Sequence, residues 1–321
     1  MALKKCFDAF QNSTDAQRTF REIMYLQVLN GHSNVVSIDN VMKASNDRDL
    51  YIVTDFMESD LHAVIKANIL EPIHKQYITY QILRALKYMH SGGLIHRDIK
   101  PSNVLLNADC SVKLCDFGLA RSVKHEVASH PVMTDYVATR WYRSPEILLG
   151  SSTYSFGVDM WAIGCILAEL YLGKALFPGA STMNQIDRIL EVTGYPSEED
   201  IASLGSPYAK TMLDSLSKSR YKSLKDIIPA APPDAIDFIR RCLQFNPKKR
   251  MSVDRALVHP YVADFSNPQD EPCFPSPPIR ISLDDDVKLT VADYIERIYA
   301  EVSKKRKERK QLVKGPEVVT R

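Results

Sequence analysis

The sequence predicts an α+β protein of two lobes, a small β-rich lobe carrying one helix and a larger helical lobe behind it. Three observations carry this expectation. The first sixty residues hold short β-rich runs around a single amphipathic stretch. Beyond Phe56-Met57-Glu58-Ser59-Asp60 the pattern changes to long helical periods. Between two of those helices lies a loop, a short hairpin and a second loop, His96 to Gly118, dense in oxygen-bearing side chains.

Met1 to Cys6 reads as the end of a strand. Asn12-Ser13-Thr14-Asp15 announces a helix, with Thr14 the expected N-cap and Gln17 three places on completing a capping box. Phe20, Ile23, Met24 and Val28 recur at helical spacing, and the helix is expected to stop before Gly31. Glu22 falls about two turns in. Val35 to Val41 and Leu50 to Thr54 read as strands separated by the turn-prone Ser45-Asn46-Asp47. Tyr77 to His90 is amphipathic and ends at Gly92-Gly93. Asp159 to Tyr171 is apolar nearly all round, as a helix at the centre of a lobe would be. Prolines from Pro178 to Pro233 punctuate an irregular, partly helical region, and Asp234 to Leu243 is helical again. Residues 266–280 are proline-rich and expected to wrap extended over a surface. A last helix, from Thr290 to Arg309, becomes basic at its end, where Lys304-Lys305-Arg306-Lys307 reads as a solvated helix end in preference to a nuclear-import signal. There are no internal repeats.

The chain of 321 residues is long enough for a sizeable core, and its 45% apolar and 25% charged residues are ordinary for a globular protein. A net charge of +2 gives no argument for nucleic acid or an anionic membrane as partner. The longest apolar run, Trp161 to Leu172, is interrupted by Glu169 and too short to span a bilayer. Met1-Ala2-Leu3-Lys4-Lys5 opens no secretory signal. Six cysteines without C-x-x-C spacing indicate neither a disulfide framework nor zinc, so the reducing cytosol or nucleus is expected; a monomer is expected as well.

The chemistry concentrates in His96-Arg97-Asp98-Ile99-Lys100-Pro101-Ser102-Asn103 and Asp116-Phe117-Gly118. The hairpin between them brings Asp98, Asn103 and Asp116 within reach of one site. Hard oxygen donors and one ammonium, Lys100, suit magnesium and a transferring phosphoryl group. The run fits H-R-D-x-K-x-x-N followed by D-F-G.

With Thr134-Asp135-Tyr136 leading to Trp141-Tyr142-Arg143-Ser144-Pro145-Glu146, the chain resembles the mitogen-activated protein kinases, whose mark is Thr-x-Tyr. Ser144 departs from the usual Ala-Pro-Glu. Lys4 through Ala108 and Pro196 through Asp200 are most similar to the atypical extracellular signal-regulated kinases of the seven/eight type. The resemblance implies a bilobal kinase fold: a partial N-lobe over 1–54, a hinge over 55–60, a complete helical C-lobe over 61–265 and an extension over 266–321. It implies ATP and Mg2+ as cofactors and protein substrates with Ser/Thr-Pro sites. Asp98 would then orient the substrate hydroxyl, Lys100 neutralise the γ-phosphoryl, and Asn103 and Asp116 ligate magnesium. Lys4 would grip the α- and β-phosphates and pair with Glu22; as plain surface charges these two would carry no such role. Ala2 and Leu105 would sandwich the adenine, Asp55 and Met57 would offer it backbone hydrogen bonds, and Thr54 would guard the space behind, although core packing alone accounts for such apolar residues.

The same resemblance implies a switch. Phosphate on Thr134 would be held by Arg21, Arg97 and Arg121, and phosphate on Tyr136 by Arg140 and Arg143, shaping a pocket for proline after the target residue. A solvated basic face is the plainer alternative for these arginines. Glu146 with Arg250, and Asp159 with the His96-Arg97 backbone, are expected to be structural. Asp270 and Glu271 match an acidic docking patch for basic peptides, weakened because Asn267 replaces an acid; a solvated turn accounts for them equally well.

One part of the family pattern has no counterpart. The glycine-rich loop G-x-G-x-x-G-x-V precedes the lysine in the family, whereas this sequence starts inside V-A-I-K with Met1 at the valine position. The N-lobe is therefore expected to lack its first two strands and to leave an unprotected sheet edge. The full-length gene product is expected to be an active kinase, and this chain weak or inactive. A kinase-like scaffold that binds partners without transfer is the rival from another class, with a small-molecule kinase further behind.

Overall fold

In the computed structural model, which describes residues 1–123, 128–129, 139–151, 153–216, 220–283 and 287–314, strands β1 (Ala2–Cys6), β2 (Ile38–Lys43) and β3 (Leu50–Thr54) form an antiparallel sheet in the order β1-β3-β2. The register sets Lys4 opposite Ile52 and Leu3 opposite Val53. Strand alternation therefore points Lys4 to the face of the buried Ile52, and Leu3 to solvent.

Helix α1 (Ser13–Val28) is capped two residues before the expected Thr14. Asn12, in an extended conformation, caps it by accepting from the Thr14 and Asp15 amides at 3.0 and 2.9 Å. Its amide also donates to Asp15, so Thr14 is left inside the exposed first turn. Gln17 does not close a box; its side chain reaches the Val287 carbonyl at 3.3 Å. Phe20, Ile23 and Met24 are buried as expected.

After β4 (Ser59–Asp60), Asp60 caps the short α2 (Leu61–Ala67) by accepting from the Ala63 amide. Helix α3 (Pro72–Ser91) begins five residues ahead of the expected Tyr77. The Glu71-Pro72 step is the reason: proline suits the first helical position, and the Glu71 amide donates to His74 Nδ1 at 3.1 Å. Then follow β5 (Leu94–Ile95), the hairpin β6 (Val104–Leu106) and β7 (Val112–Leu114), and β8 (Arg121–Ser122); β4, β6 and β7 form one sheet, and β5 pairs with β8.

Strand β9 (Ala128–Ser129) and helix α4 (Pro145–Leu148) precede β10 (Thr153–Tyr154), which pairs with β9. Helix α5 (Gly157–Leu172) is buried from Val158 to Leu170 and forms the axis of the helical lobe. Around it stand α6 (Thr182–Thr193), α7 (Glu198–Ala202), α8 (Ala209–Asp214), α9 (Leu224–Ile227), α10 (Pro233–Cys242) and α11 (Val253–Leu257). Helices α5 and α10 approach so closely that a Cβ on Gly164 would stand 2.8 Å from that of Cys242. The last helix, α12 (Val291–Lys314), returns to the small lobe and lies on α1, with Tyr294 and Ile298 fully buried and the Phe20 and Tyr294 rings 5.7 Å apart. Between α11 and α12 the proline-rich stretch crosses the helical lobe. Ile279 donates its amide to the Gly92 carbonyl at 2.7 Å, and its side chain fills the space a Cβ on Gly92 would need.

A buried ion pair locks α4 to the helical lobe. Arg250 meets both oxygens of Glu146 at 2.6 Å, with both side chains at most 2% exposed, and stacks its guanidinium 5.1 Å from the Trp161 ring centre. Removing one member would leave the other charge uncompensated. Glu146→Ala is expected to lower the unfolding free energy by about 3–5 kcal/mol, read by urea denaturation; a loss below about 1 kcal/mol would place the pair with exposed ones.

Candidate active site

Between the three-stranded sheet and the helical lobe opens a cavity of about 550 Å³, lined by Ala2, Lys4, Glu22, Asp116, Asn103 and Leu105, with Thr54, Asp55, Met57 and Lys100 completing its walls. Its floor is the β6–β7 hairpin. The roof is tied to it through the backbone: Val36 donates to the Leu114 carbonyl at 3.0 Å, and Leu114 to that of Asn34 at 2.9 Å.

The first loop is held from below. Asp159, fully buried on α5, accepts from the His96 and Arg97 amides, each at 2.9 Å, and from His90 Nε2 at 2.9 Å. Arg97 takes a left-handed backbone with φ 69°, a strained conformation for a side-chain-bearing residue that these bonds maintain. Lys100 Nζ then reaches Asp98 Oδ2 at 2.7 Å. The Asn103 amide donates to the Asp98 carbonyl at 2.8 Å and to Oδ2 at 3.2 Å. Cys115 donates its backbone amide to the Asn103 carbonyl at 3.1 Å, which couples the first loop to the second. Asp116 also has a left-handed backbone, φ 62°.

Lys4 Nζ, half-exposed, meets the buried Glu22 carboxylate at 2.5 Å. Burial works against the Lys4 cation, but the Glu22 charge and hydrogen bond outweigh it and raise its pKa. Burial pushes Glu22 upward, partly opposed by Lys4. Burial also opposes ionisation of Asp116, yet Lys4, followed by Arg18, His96 and Lys100, brings its carboxyl below the ordinary range. The result is a carboxylate kept ionised in a cleft of positive charge.

Asp98, Lys100, Asn103, Asp116, Lys4 and Glu22 are thus brought together. Ala2, Leu105, Asp55 and Met57 face the same cavity. The Asp55 carbonyl already accepts from Thr54 Oγ1 at 3.1 Å, and its carboxylate is held by the Ser37 amide at 3.0 Å and Lys113 at 3.2 Å. Arg97 and Arg143 line one crevice with Asp98 and Thr139. Arg21 is buried on α1 beside Glu22, and Arg121 sits on β8 opposite Ile95. Arg140 donates to the Ala180 carbonyl at 3.1 Å. Thr134 and Tyr136 lie outside the described residues.

One residue of the expected acidic patch is corrected. Glu271 is buried, paired with Lys87 at 3.2 Å and accepting from Ser266 Oγ and the Asn267 amide at 3.0 and 3.1 Å, so its carboxylate is not presented to a partner. Asp270 remains exposed. Conversely, Arg18 was not among the expected site residues, although it precedes Glu22 by one helical turn and shares its face. Its Nη2 stands 3.5 Å from Asp116 Oδ2.

Residues 1–262 match the protein kinase domain family. Over 319 residues the chain is 59% identical to extracellular signal-regulated kinase 2 of Dictyostelium discoideum, covering 98% of this chain and 86% of that protein. The chain belongs to the mitogen-activated branch of the Ser/Thr protein kinases. This kinase is also 52% identical over 312 residues to mitogen-activated protein kinase 15 of Caenorhabditis elegans, covering 95% of this chain and 66% of that protein. It is likewise 52% identical over 303 residues to mitogen-activated protein kinase 15 of Xenopus laevis, spanning 93% of this chain and about half (52%) of that relative's length.

Two predictions follow from the cleft. Removing the Glu22 carboxylate (Glu22→Ala) frees Lys4, and nucleotide affinity is expected to fall about tenfold, measured by calorimetric titration with ADP. Burial pushes the Cys6 thiol up to about 11 and the Cys115 thiol up to about 12. Both are therefore protonated at pH 8, and iodoacetamide is expected to label the exposed Cys273 first, followed by mass spectrometry; raising the pH toward 11 is expected to recruit Cys6 before Cys115.

Proposed function

We propose that this kinase transfers the γ-phosphoryl of Mg-ATP to Ser or Thr followed by proline, under control of phosphorylation at Thr134 and Tyr136. The observation that carries the reading is the single cavity in which a lysine–glutamate pair, an ionised aspartate and an asparagine face one another, with the Asp98 loop at its mouth.

The donor set fits a magnesium ion. Asn103 commits its NH2 to Asp98, which orients Oδ1 as its remaining donor, and Asp116 supplies a carboxylate oxygen; both are hard ligands. When bound, magnesium would neutralise charge on the phosphate oxygens. Lys4, aimed by Glu22, would hold the α- and β-phosphates. Ala2 and Leu105 would enclose the base, with the Asp55 and Met57 backbone at its edge. Asp98 has Oδ2 engaged by Lys100 and Asn103, so Oδ1 would accept the proton of the substrate hydroxyl. Lys100, already beside Asp98, would meet the transferring group.

Arg97, whose backbone is fixed by Asp159, would receive the Thr134 phosphate together with Arg21 and Arg121, and Arg143 and Arg140 that of Tyr136. Asp270 would contribute to a basic docking peptide. Its action would lie in the cytosol or nucleus.

Asp98→Asn tests the reading. Nucleotide binding is expected to stay near wild type while transfer to a Ser-Pro peptide falls by at least about a hundredfold. A Ser-Ala peptide is expected to be a poorer substrate than its Ser-Pro counterpart by about tenfold in kcat/KM. Undiminished transfer by Asp98→Asn, or equal transfer to the Ser-Ala and Ser-Pro peptides, would overturn it.

A further inference from the structure

We infer that Arg18 is a resident counter-cation for Asp116 that a divalent metal must displace, so that Arg18 sets the metal affinity of the site. The inference rests on the kinase reading above and assigns a role to a residue outside it.

Three features of the structure point the same way. The Arg18 guanidinium approaches the Asp116 carboxylate to 3.5 Å, at the oxygen-bearing group that reads as the metal ligand. Its stem lies flat on the second loop: a Cβ on Gly118 would come within 2.6 Å of Arg18 Cγ and 2.9 Å of Nε, so the glycine leaves the room this side chain occupies. And the side chain as a whole is only partly enclosed. The Arg18 side chain is 40% exposed, whereas Glu22, one turn on along α1, is buried against Lys4.

Helix α1 therefore presents two opposite charges, one turn apart, to two residues of the cleft, Lys4 and Asp116. Glu22 holds the cation expected to meet phosphate, and Arg18 holds the anion expected to meet metal. Their consequences differ in sign. Glu22 organises Lys4 without competing for its ligand, because Lys4 binds a carboxylate and a phosphate through different N–H groups. Arg18 and a metal ion compete for the same carboxylate, since two positive charges at one anion repel. A partly exposed arginine side chain can swing out when the ion arrives, at the cost of the ion pair it leaves. The pair is partly solvated, so the competition is modest and adjustable. A nucleotide-free cleft thereby keeps its metal carboxylate neutralised without a bound ion, and any movement of α1 changes the metal affinity along with the Lys4–Glu22 pair.

The opposite role is equally concrete: Arg18 as a strut that holds the Asp116 loop in its ligating shape. The two roles predict metal-affinity changes of opposite direction. Mn2+ serves as the probe, titrated into the full chain saturated with ADP and followed by the electron paramagnetic resonance signal of free Mn2+. Arg18→Gln is expected to tighten Mn2+ binding about three- to tenfold, and Arg18→Lys, which keeps the charge, to stay within about twofold of wild type. Arg18→Met, close in shape and uncharged, replaces the Gln variant should that one fail to fold. Unchanged or weaker Mn2+ binding by the uncharged variants overturns the inference and leaves the kinase reading intact. Failure of wild type to bind Mn2+ with ADP overturns both.

Discussion

The carboxylate of Asp159 is the point on which the site hangs. It sits on the most buried helix of the molecule and accepts from two consecutive backbone amides and one imidazole. Burial alone would favour the neutral acid, but His90 and the loop's donors hold it ionised, below the ordinary range. Charge-assisted bonds of this kind are strong in a low-dielectric interior. They fix the His96-Arg97 turn, including the left-handed Arg97, and the geometry of Asp98, Lys100 and Asn103 follows from that turn. The helical lobe thus supplies a rigid base for the loop side chains, while the sheet above contributes Lys4, held by Glu22 on a helix, α1, that the C-terminal extension also touches.

Much of the fold was legible in the sequence because burial leaves a period. The α5 run has no polar face to speak of, and α1 shows its buried side at Phe20, Ile23 and Met24. What escaped was decided by local hydrogen bonding at element ends. Thr14 is a good cap in isolation, but Asn12 reaches the amides first and the helix starts earlier. Tyr77 opens the apolar stripe of α3, whereas Glu71-Pro72 opens its backbone; amphipathicity marks where a helix is buried, not where it begins.

The site divides in the same way. Asp98, Asn103 and Asp116 are close in sequence, joined by a tight hairpin, so their convergence could be read from spacing. Lys4 and Glu22 required the family resemblance, since nothing local joins a strand to a helix eighteen residues on. Glu271 shows the limit of reading charge as exposure: Lys87, far away in the chain, turns it inward. Arg18 shows the converse, a cation that looks like an ordinary helix surface until the Gly118 loop is folded beneath it.

The position of Tyr294 and Ile279 has a bearing on what counts as one piece of this protein. The protein kinase domain match ends at residue 262, yet the ring of Tyr294 is wedged against Phe20, and Ile279 is seated in the notch at Gly92. The boundary of the kinase-domain match and the boundary drawn by cohesion are different lines. The segment beyond that match is here an internal part, packed on the first helix of the small lobe.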